Sequence, residues 1–256
     1  MKLYVERTVS PLSGTNSSGG GPAVTCGRIQ GMDRGLQALH LIHPDPGPDH
    51  LIELRAWGSR FHRSWHDTAE AAHAKALDLA PSLDVYFGVA PRTGRGGSTE
   101  YVEELTCVWA DLDCKHHSKA DRLDQLAALD TPPSILIDSG HGYHAYWLLD
   151  APIDPEDGRR CMAALASALD GDAVGDLPRV LRVPGTTNHK GEPTPVKVVK
   201  LSEVRCSLDA IEGSVAGMES IGQEAESASP GGIMVEVVWD AEHGQAQALT
   251  VSGTPS

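Results

Sequence analysis

The sequence predicts an α+β fold in which short strands and helices are interleaved. Three observations carry this. Apolar, β-prone runs recur at 51–57, 83–89, 105–113, 134–138, 145–149 and 195–201. Between them lie Ala-rich or amphipathic stretches at 67–79, 118–129 and 155–169, long enough for helices, with Asp67 and Asp154 as N-cap candidates. Pro- and Gly-rich punctuation at 43–49, 131–133 and 139–142 then divides one element from the next.

Taken in order, residues 1–35 read as a flexible N-terminal segment, because Ser10-Pro-Leu-Ser-Gly-Thr-Asn-Ser-Ser-Gly-Gly-Gly-Pro22 has linker composition. Its glycine triplet is not a phosphate loop, since no Lys-Ser/Thr follows at Walker spacing. The apolar run 36–42, the turn His43-Pro-Asp-Pro-Gly-Pro-Asp49 and the strand 51–57 predict a hairpin. The strand 83–89 leads into Ala90-Pro-Arg-Thr-Gly-Arg-Gly-Gly97, a basic, Gly-rich loop whose composition suits either an anionic ligand or a plain exposed turn. After the strand 134–138, Ser139-Gly-His-Gly-Tyr-His144 turns the chain tightly into a second strand. A strand at 195–201 and a short helix from near Ser207 close the ordered core at about residue 212. Residues 213–256 read as an acidic, largely disordered tail with one edge strand at 233–239.

A chain of 256 residues accommodates one large domain or two small ones. Its 40% hydrophobic and 22% charged residues are those of a soluble globular protein, and no apolar run approaches the roughly 20 residues that span a bilayer. The N-terminus lacks a basic segment followed by an apolar one, so no signal peptide is expected. Five cysteines without regular spacing point to free thiols and a cytoplasmic protein. The net charge of −14 is unevenly spread. Eight Asp or Glu but no Lys or Arg follow Arg205, which leaves about −6 on the first 205 residues. Arg and Lys there remain free to cluster, and net charge does not exclude a nucleic-acid partner.

The chemistry centres on Leu105-Thr-Cys-Val-Trp-Ala-Asp-Leu-Asp113. Side chains alternate along a strand, so Asp111 and Asp113 project to one face. Two carboxylates there are costly without a cation between them, and hard divalent ions favour oxygen ligands of this kind. Ser139, the backbone around Gly140 and His144 offer donors for phosphate oxygens. Asp176 offers a third carboxylate, with Arg179, Arg182 and Lys190 supplying positive charge beside it. Together these pieces suit two-metal transfer of a nucleotidyl group.

Four segments occur in a distinctive order: Asp84-Val-Tyr-Phe-Gly-Val-Ala-Pro-Arg92, Val108-Trp-Ala-Asp-Leu-Asp113, Ser139-Gly-His-Gly-Tyr-His-Ala-Tyr-Trp-Leu-Leu149 and Asp176-Leu-Pro-Arg-Val-Leu-Arg-Val-Pro-Gly-Thr-Thr-Asn-His-Lys190. They resemble the primase-polymerases of the archaeo-eukaryotic primase (AEP) superfamily, particularly the RepB-type branch carried by plasmids, phages and other mobile elements. The resemblance covers about residues 36–210. It implies a primase core of two small α/β units, an N-terminal one and an RRM-like one, with the active site between them. By the same resemblance, Asp111 and Asp113 are the metal pair. Ser139, Gly140 and His144 bind the nucleotide, with His144 rather than His141 at the triphosphate. Asp176 is the third carboxylate, Asp172 being the other candidate. Arg179, Arg182, Asn188 and Lys190 form the nucleotide-contacting segment. The implied activity is primer synthesis on single-stranded DNA from NTPs or dNTPs with Mg²⁺ or Mn²⁺. Trp57, Trp65 and Tyr86 are candidates for base stacking.

The sequence has no Walker motif, so any helicase would come from a separate chain. Cys114-Lys-His-His117 invites a zinc reading, but no second Cys pair stands at finger spacing, and zinc is not expected. Two other classes fit the same residues: a single-stranded nucleic-acid-binding module without strong catalysis, and a metal-dependent phosphoesterase or nuclease.

Overall fold

A computed structural model describes residues 32–172, 175–227, 234–240 and 245–252, with side chains through residue 218. The linker-like stretch of the N-terminal segment lies outside the described residues. The elements, in chain order, are α1 (Arg34–Ile42), β1 (Ile52–Gly58), β2 (His62–His66), α2 (Ala69–Leu79), β3 (Leu83–Gly88), β4 (Leu105–Asp113), α3 (Lys119–Ala127), β5 (Ile135–Asp138), β6 (Gly142–Ile153), α4 (Pro155–Ala168), β7 (Val180–Arg182), β8 (Thr187–Asn188), β9 (Thr194–Pro195), β10 (Lys197–Leu201), α5 (Leu208–Ser227), β11 (Met234–Asp240) and β12 (Gln245–Ser252).

Two antiparallel four-stranded sheets organise them, in the orders β2-β1-β3-β7 and β10-β5-β6-β4. This matches the α+β architecture expected from the sequence. The first sheet packs on α2, and α4 packs on β4 and α5. One buried apolar cluster runs through both sheets, from Leu54, Val85 and Phe87 to Trp109, Tyr146 and Trp147. Phe87 meets Tyr146 across it with ring centroids 6.4 Å apart. At about 1.5–3 kcal/mol for each fully buried large side chain, this shared cluster holds the two sheets as one body.

The run 36–42 is a helix rather than a strand. Asp33 caps it, its carboxylate accepting from the amides of Gly35 and Leu36 at 2.8 and 3.2 Å. Gly35, Ala38, Leu39 and Ile42 are its buried face, a helical spacing that the plainly apolar run concealed. The strand 51–57 therefore makes its hairpin forwards, with β2, in the register Arg55↔Arg63. The first helix after it is capped by Thr68, not Asp67: the Thr68 hydroxyl accepts from the Ala71 amide at 3.1 Å.

Ser118 caps α3 in a reciprocal capping box with Asp121, and Asp154 caps α4 as expected. The C-terminal helix is longer than the sequence predicts. It continues past Gly213, burying Ser214 and Val215. The expected edge strand at 233–239 appears as β11, paired with β12 rather than with either main sheet.

His43, just after α1, is fully buried. Its Nε2 lies 3.1 Å from the Gly88 carbonyl, and burial lowers its pKa from 6.5 to about 3. The folded state thus keeps His43 neutral while the unfolded chain takes up a proton below pH 6.5. Stability should fall by about 1.4 kcal/mol per pH unit from this residue as pH drops from 6.5 towards 3. Urea unfolding at pH 7 and pH 5 tests this. His43→Gln keeps a donor but does not titrate, so it should lose about 2 kcal/mol less over that interval than the unaltered chain. Equal losses would place the acid sensitivity elsewhere.

Candidate active site

Pairing of β4 with β6 sets Asp111 opposite His144 and Asp113 opposite Gly142. β5 sets Ile137 on the other side of His144. Strand alternation then carries Asp111, Asp113 and His144 on one face, as their spacing predicts. His144 is 4% exposed, and its Nε2 lies 3.8 Å from Asp111 Oδ1. Burial lowers its pKa, and the charges of Arg182 and Arg179 add to this against the opposing pull of Asp111, so the imidazole is neutral at neutral pH. Its Nδ1 is buried without a hydrogen-bond partner among the described residues. A buried ring nitrogen left in this state costs free energy unless a ligand completes it.

Asp113 carries the counter-charge. Lys115 Nζ sits 2.5 Å from its carboxylate and, with burial opposing, holds the Asp113 pKa below the ordinary value. The Lys115 ammonium is itself stabilised by Asp113 first, then by Asp172 and Asp111. A cationic side chain therefore already sits against Asp113, within the field of Asp172 and Asp111. Lys115 falls within the Cys114-Lys-His-His117 stretch. In that stretch His117 bonds Asp170 at 2.8 Å.

Asp172 is tied directly to β4. Its amide donates to the Asp111 carbonyl at 3.0 Å in an isolated antiparallel bridge. Buried Arg122 fixes the same corner, donating to the carbonyls of Asp113, Leu169 and Asp170. Asp176, the carboxylate favoured by the sequence, instead binds Arg179 at 2.7 Å within its own turn. The three residues between Asp172 and Asp176 were too few for spacing to separate the two.

The Ser139 turn differs from expectation in how its donors are used. Gly140, at φ +97°, adopts a conformation that favours glycine, and its amide is already bound by the Asp138 carboxylate at 2.8 Å. The Ser139 hydroxyl donates to the Gly142 carbonyl at 3.1 Å. Asn188 likewise serves structure. Its amide donates to the Ser139 carbonyl at 2.7 Å and accepts from the Lys190 amide at 2.9 Å, pinning β8 to the turn. These internal bonds build the turn. His141 bonds the Lys190 carbonyl at 2.8 Å, and Lys190 extends its exposed side chain with its charge felt at Asp113.

Arg182 sits on β7 opposite Tyr86, with its guanidinium 4.7 Å from the Tyr86 ring centroid and paired with Asp84. Burial works against the Asp84 charge, yet the His189 amide and Arg182 hold its carboxyl below its ordinary pKa. Tyr86 lies within electrostatic reach of Asp111, and His144 within that of Arg179 and Arg182. The site thus draws on both sheets.

The donor set fits Mg²⁺ or Mn²⁺. Among the described residues no three His, Cys, Asp or Glu side chains are grouped so as to hold a metal ion, so protein ligands here are limited to the Asp111 and Asp113 pair. An ion of this type needs only one or two carboxylates, with water and substrate phosphates completing its shell. Two partly exposed carboxylates meet that requirement, with the Lys115 ammonium having to give up Asp113 to the ion.

No protein-family model and no curated protein sequence matches the chain. Solved structures do. The AEP domain of the cyanophage S-2L primase-polymerase superposes with a TM-score of 0.57 at 17% identity, over 72% of this chain and 98% of that one. The catalytic domain of primase RepB′ in complex with initiator DNA gives 0.52 at 19%, over 77% and 100%. A second structure of primase RepB′ gives 0.51 at 18%, over 76% and 67%. No helix among the described residues is long and apolar enough to cross a membrane. At such identities the likeness concerns architecture, and the architecture is that of the AEP primase catalytic domains.

Proposed function

We propose that the chain is a DNA primase-polymerase that makes short primers on single-stranded DNA by nucleotidyl transfer from NTPs or dNTPs. Replication of a plasmid, phage or other mobile element is the setting that suits it, with any helicase supplied by another chain. The observation that supports this most is the register of Asp111 and Asp113 against His144 and Gly142, in a fold shared with primase catalytic domains.

Asp111 and Asp113 hold the metal ions, with Asp172 assigned as third carboxylate in preference to Asp176. When bound, Mg²⁺ or Mn²⁺ supplies Lewis-acid stabilisation of charge on the phosphate oxygens and acidifies the attacking hydroxyl. Neutral His144 hydrogen-bonds a triphosphate oxygen through its imidazole. Arg179, Arg182 and Lys190 bring positive charge to the triphosphate and to the pyrophosphate that departs. The 3′-oxygen of the strand bonds to the α-phosphorus, the bond from that phosphorus to the bridging oxygen of the β-phosphate breaks, and the hydroxyl proton leaves to solvent.

Incorporation of labelled nucleotide on a primerless single-stranded template, with Mn²⁺ or Mg²⁺, tests this reading. Short products that vanish with EDTA and return with added Mn²⁺ are expected. Extension of a supplied primer alone would retain the polymerase and remove the primase. Shortening of the strand would indicate a nuclease, and binding without either change a non-catalytic module.

A further inference from the structure

The β1–β2 side of the first sheet carries a surface that the catalytic site does not use. Glu53 is fully buried, and three arginines converge on its carboxylate. Arg55 reaches it at 2.7 and 3.1 Å, Arg63 at 2.6 Å and Arg92 at 3.0 Å. One negative charge thus faces three positive ones, and an excess of two remains. Arg92 is buried, so the excess is presented by partly exposed Arg55 and Arg63.

These two arginines line a cavity of about 650 Å³ together with Trp57, Phe61 and Tyr101. Trp57 is 40% exposed and Phe61 57%, with ring centroids 5.6 Å apart. The basic Gly-rich loop forms another wall. The Gly97 carbonyl accepts from Arg55 at 2.9 Å, and a Cβ at Gly97 would fall 1.4 Å from the Arg63 guanidinium, so only glycine admits that arginine here. Trp65 supports the cavity from behind. Arg63 stacks over its ring at 5.0 Å, and its indole N–H is bound by the Gly96 carbonyl.

Cross-strand register extends this surface towards the carboxylates. Arg63 pairs with Arg55, Arg55 with Tyr86, and Tyr86 with Arg182, one residue from each strand of the sheet. Trp57 also meets Tyr86 at 4.9 Å. At about 4.8 Å between strands the row spans about 14 Å, the length of about four stacked nucleotides. It ends at Arg182, whose charge is felt by His144.

We propose that this row is the path of the single-stranded template, with bases stacking on Trp57 and Phe61 and phosphates held by Arg55 and Arg63. Exposed rings beside fixed guanidinium groups suit single strands, because every base has a stacking face and every linkage one negative charge. The surface deepens the primase-polymerase reading and rests on it for the word template.

Anisotropy of a labelled 15-residue oligo(dT) with the full chain tests the assignment. The double variant Trp57→Ala, Phe61→Ala should weaken binding at least tenfold. Arg63→Ala should lower the slope of log K against log salt by about 0.7. Both variants should bind a fluorescent dNTP with Mn²⁺ as the unaltered chain does, and exposure of the two rings keeps the core intact. Unchanged oligo(dT) affinity in the double variant would overturn the path and leave the catalytic reading standing. Equal displacement of the DNA by polyglutamate would overturn it in favour of an acidic protein segment. Loss of binding in the variants of a chain that extends no primer would support the surface while removing the polymerase.

Discussion

Replacing Asp111 and Asp113 together with Asn should reduce nucleotide incorporation by at least about 10³-fold without lowering the melting temperature. Both carboxylates project from one face of β4, two residues apart, and Lys115 alone is ion-paired to Asp113. The Asp113–Lys115 pair is partly exposed and such pairs contribute little, so neutral amides of the same shape remove almost no support. Lys115 is largely exposed and loses little when its partner is neutralised. The loss of rate follows because charge stabilisation at the transferring phosphate depends on metal oxygens that Asn supplies poorly. A second readout separates binding from chemistry. Mn²⁺ at 100 times its dissociation constant should stabilise the unaltered chain by about 2.7 kcal/mol, and this gain should disappear in the double variant. Incorporation that persists, or an Mn²⁺ shift that persists, would remove the two residues from the metal site.

The pair itself was legible in the sequence because it depends on strand alternation alone. The β4 boundaries, the Ser139 turn and the Asp154 cap were legible for the same reason: each is set by residues adjacent in the chain. What the sequence concealed is set by partners distant in the chain. Asp176 reads as the better third carboxylate and Asp172 as the alternative, a ranking blind to the bridge of the Asp172 amide to Asp111 and to the pairing of Asp176 with Arg179. Asn188 reads as a nucleotide contact only through the primase resemblance, and its amide is bonded to the backbone of Ser139 and Lys190, partners a motif match does not show. The arginine row was hidden by one misplaced element. With 36–42 read as a strand, 51–57 paired backwards, and the register that lines up Arg63 with Arg55 had no basis.

Glu53 is the residue on which that row depends, and Glu53→Gln should be among the most damaging single changes in the protein. Burial works against the Glu53 charge, but the hydrogen bonds and charges of Arg55 and Arg92 outweigh it and hold the carboxyl below its ordinary pKa. Gln preserves the shape and removes the charge, leaving three guanidinium groups facing one another with Arg92 fully buried. Breaking a buried pair in this way costs about 3–5 kcal/mol, because the remaining charge stays uncompensated. For a chain of this size that corresponds to a fall in melting temperature of roughly 6 °C or more. The pH dependence has a defined sign. A depressed carboxyl pKa contributes stability that is present above the unfolded value near 4.5 and is lost as pH falls through the folded one, so this part of the acid sensitivity should vanish in the variant. The same cluster connects stability to ligand binding. Phosphates lying against Arg55 and Arg63 would replace the missing counter-charge, so saturating oligo(dT) should raise the melting temperature of Glu53→Gln by more than it raises that of the unaltered chain. A variant that melts within 2 °C of the original would mean the three arginines find other partners and Glu53 does not organise them. A lower melting temperature with no additional rescue by DNA would keep Glu53 as a structural anchor and count against the template path.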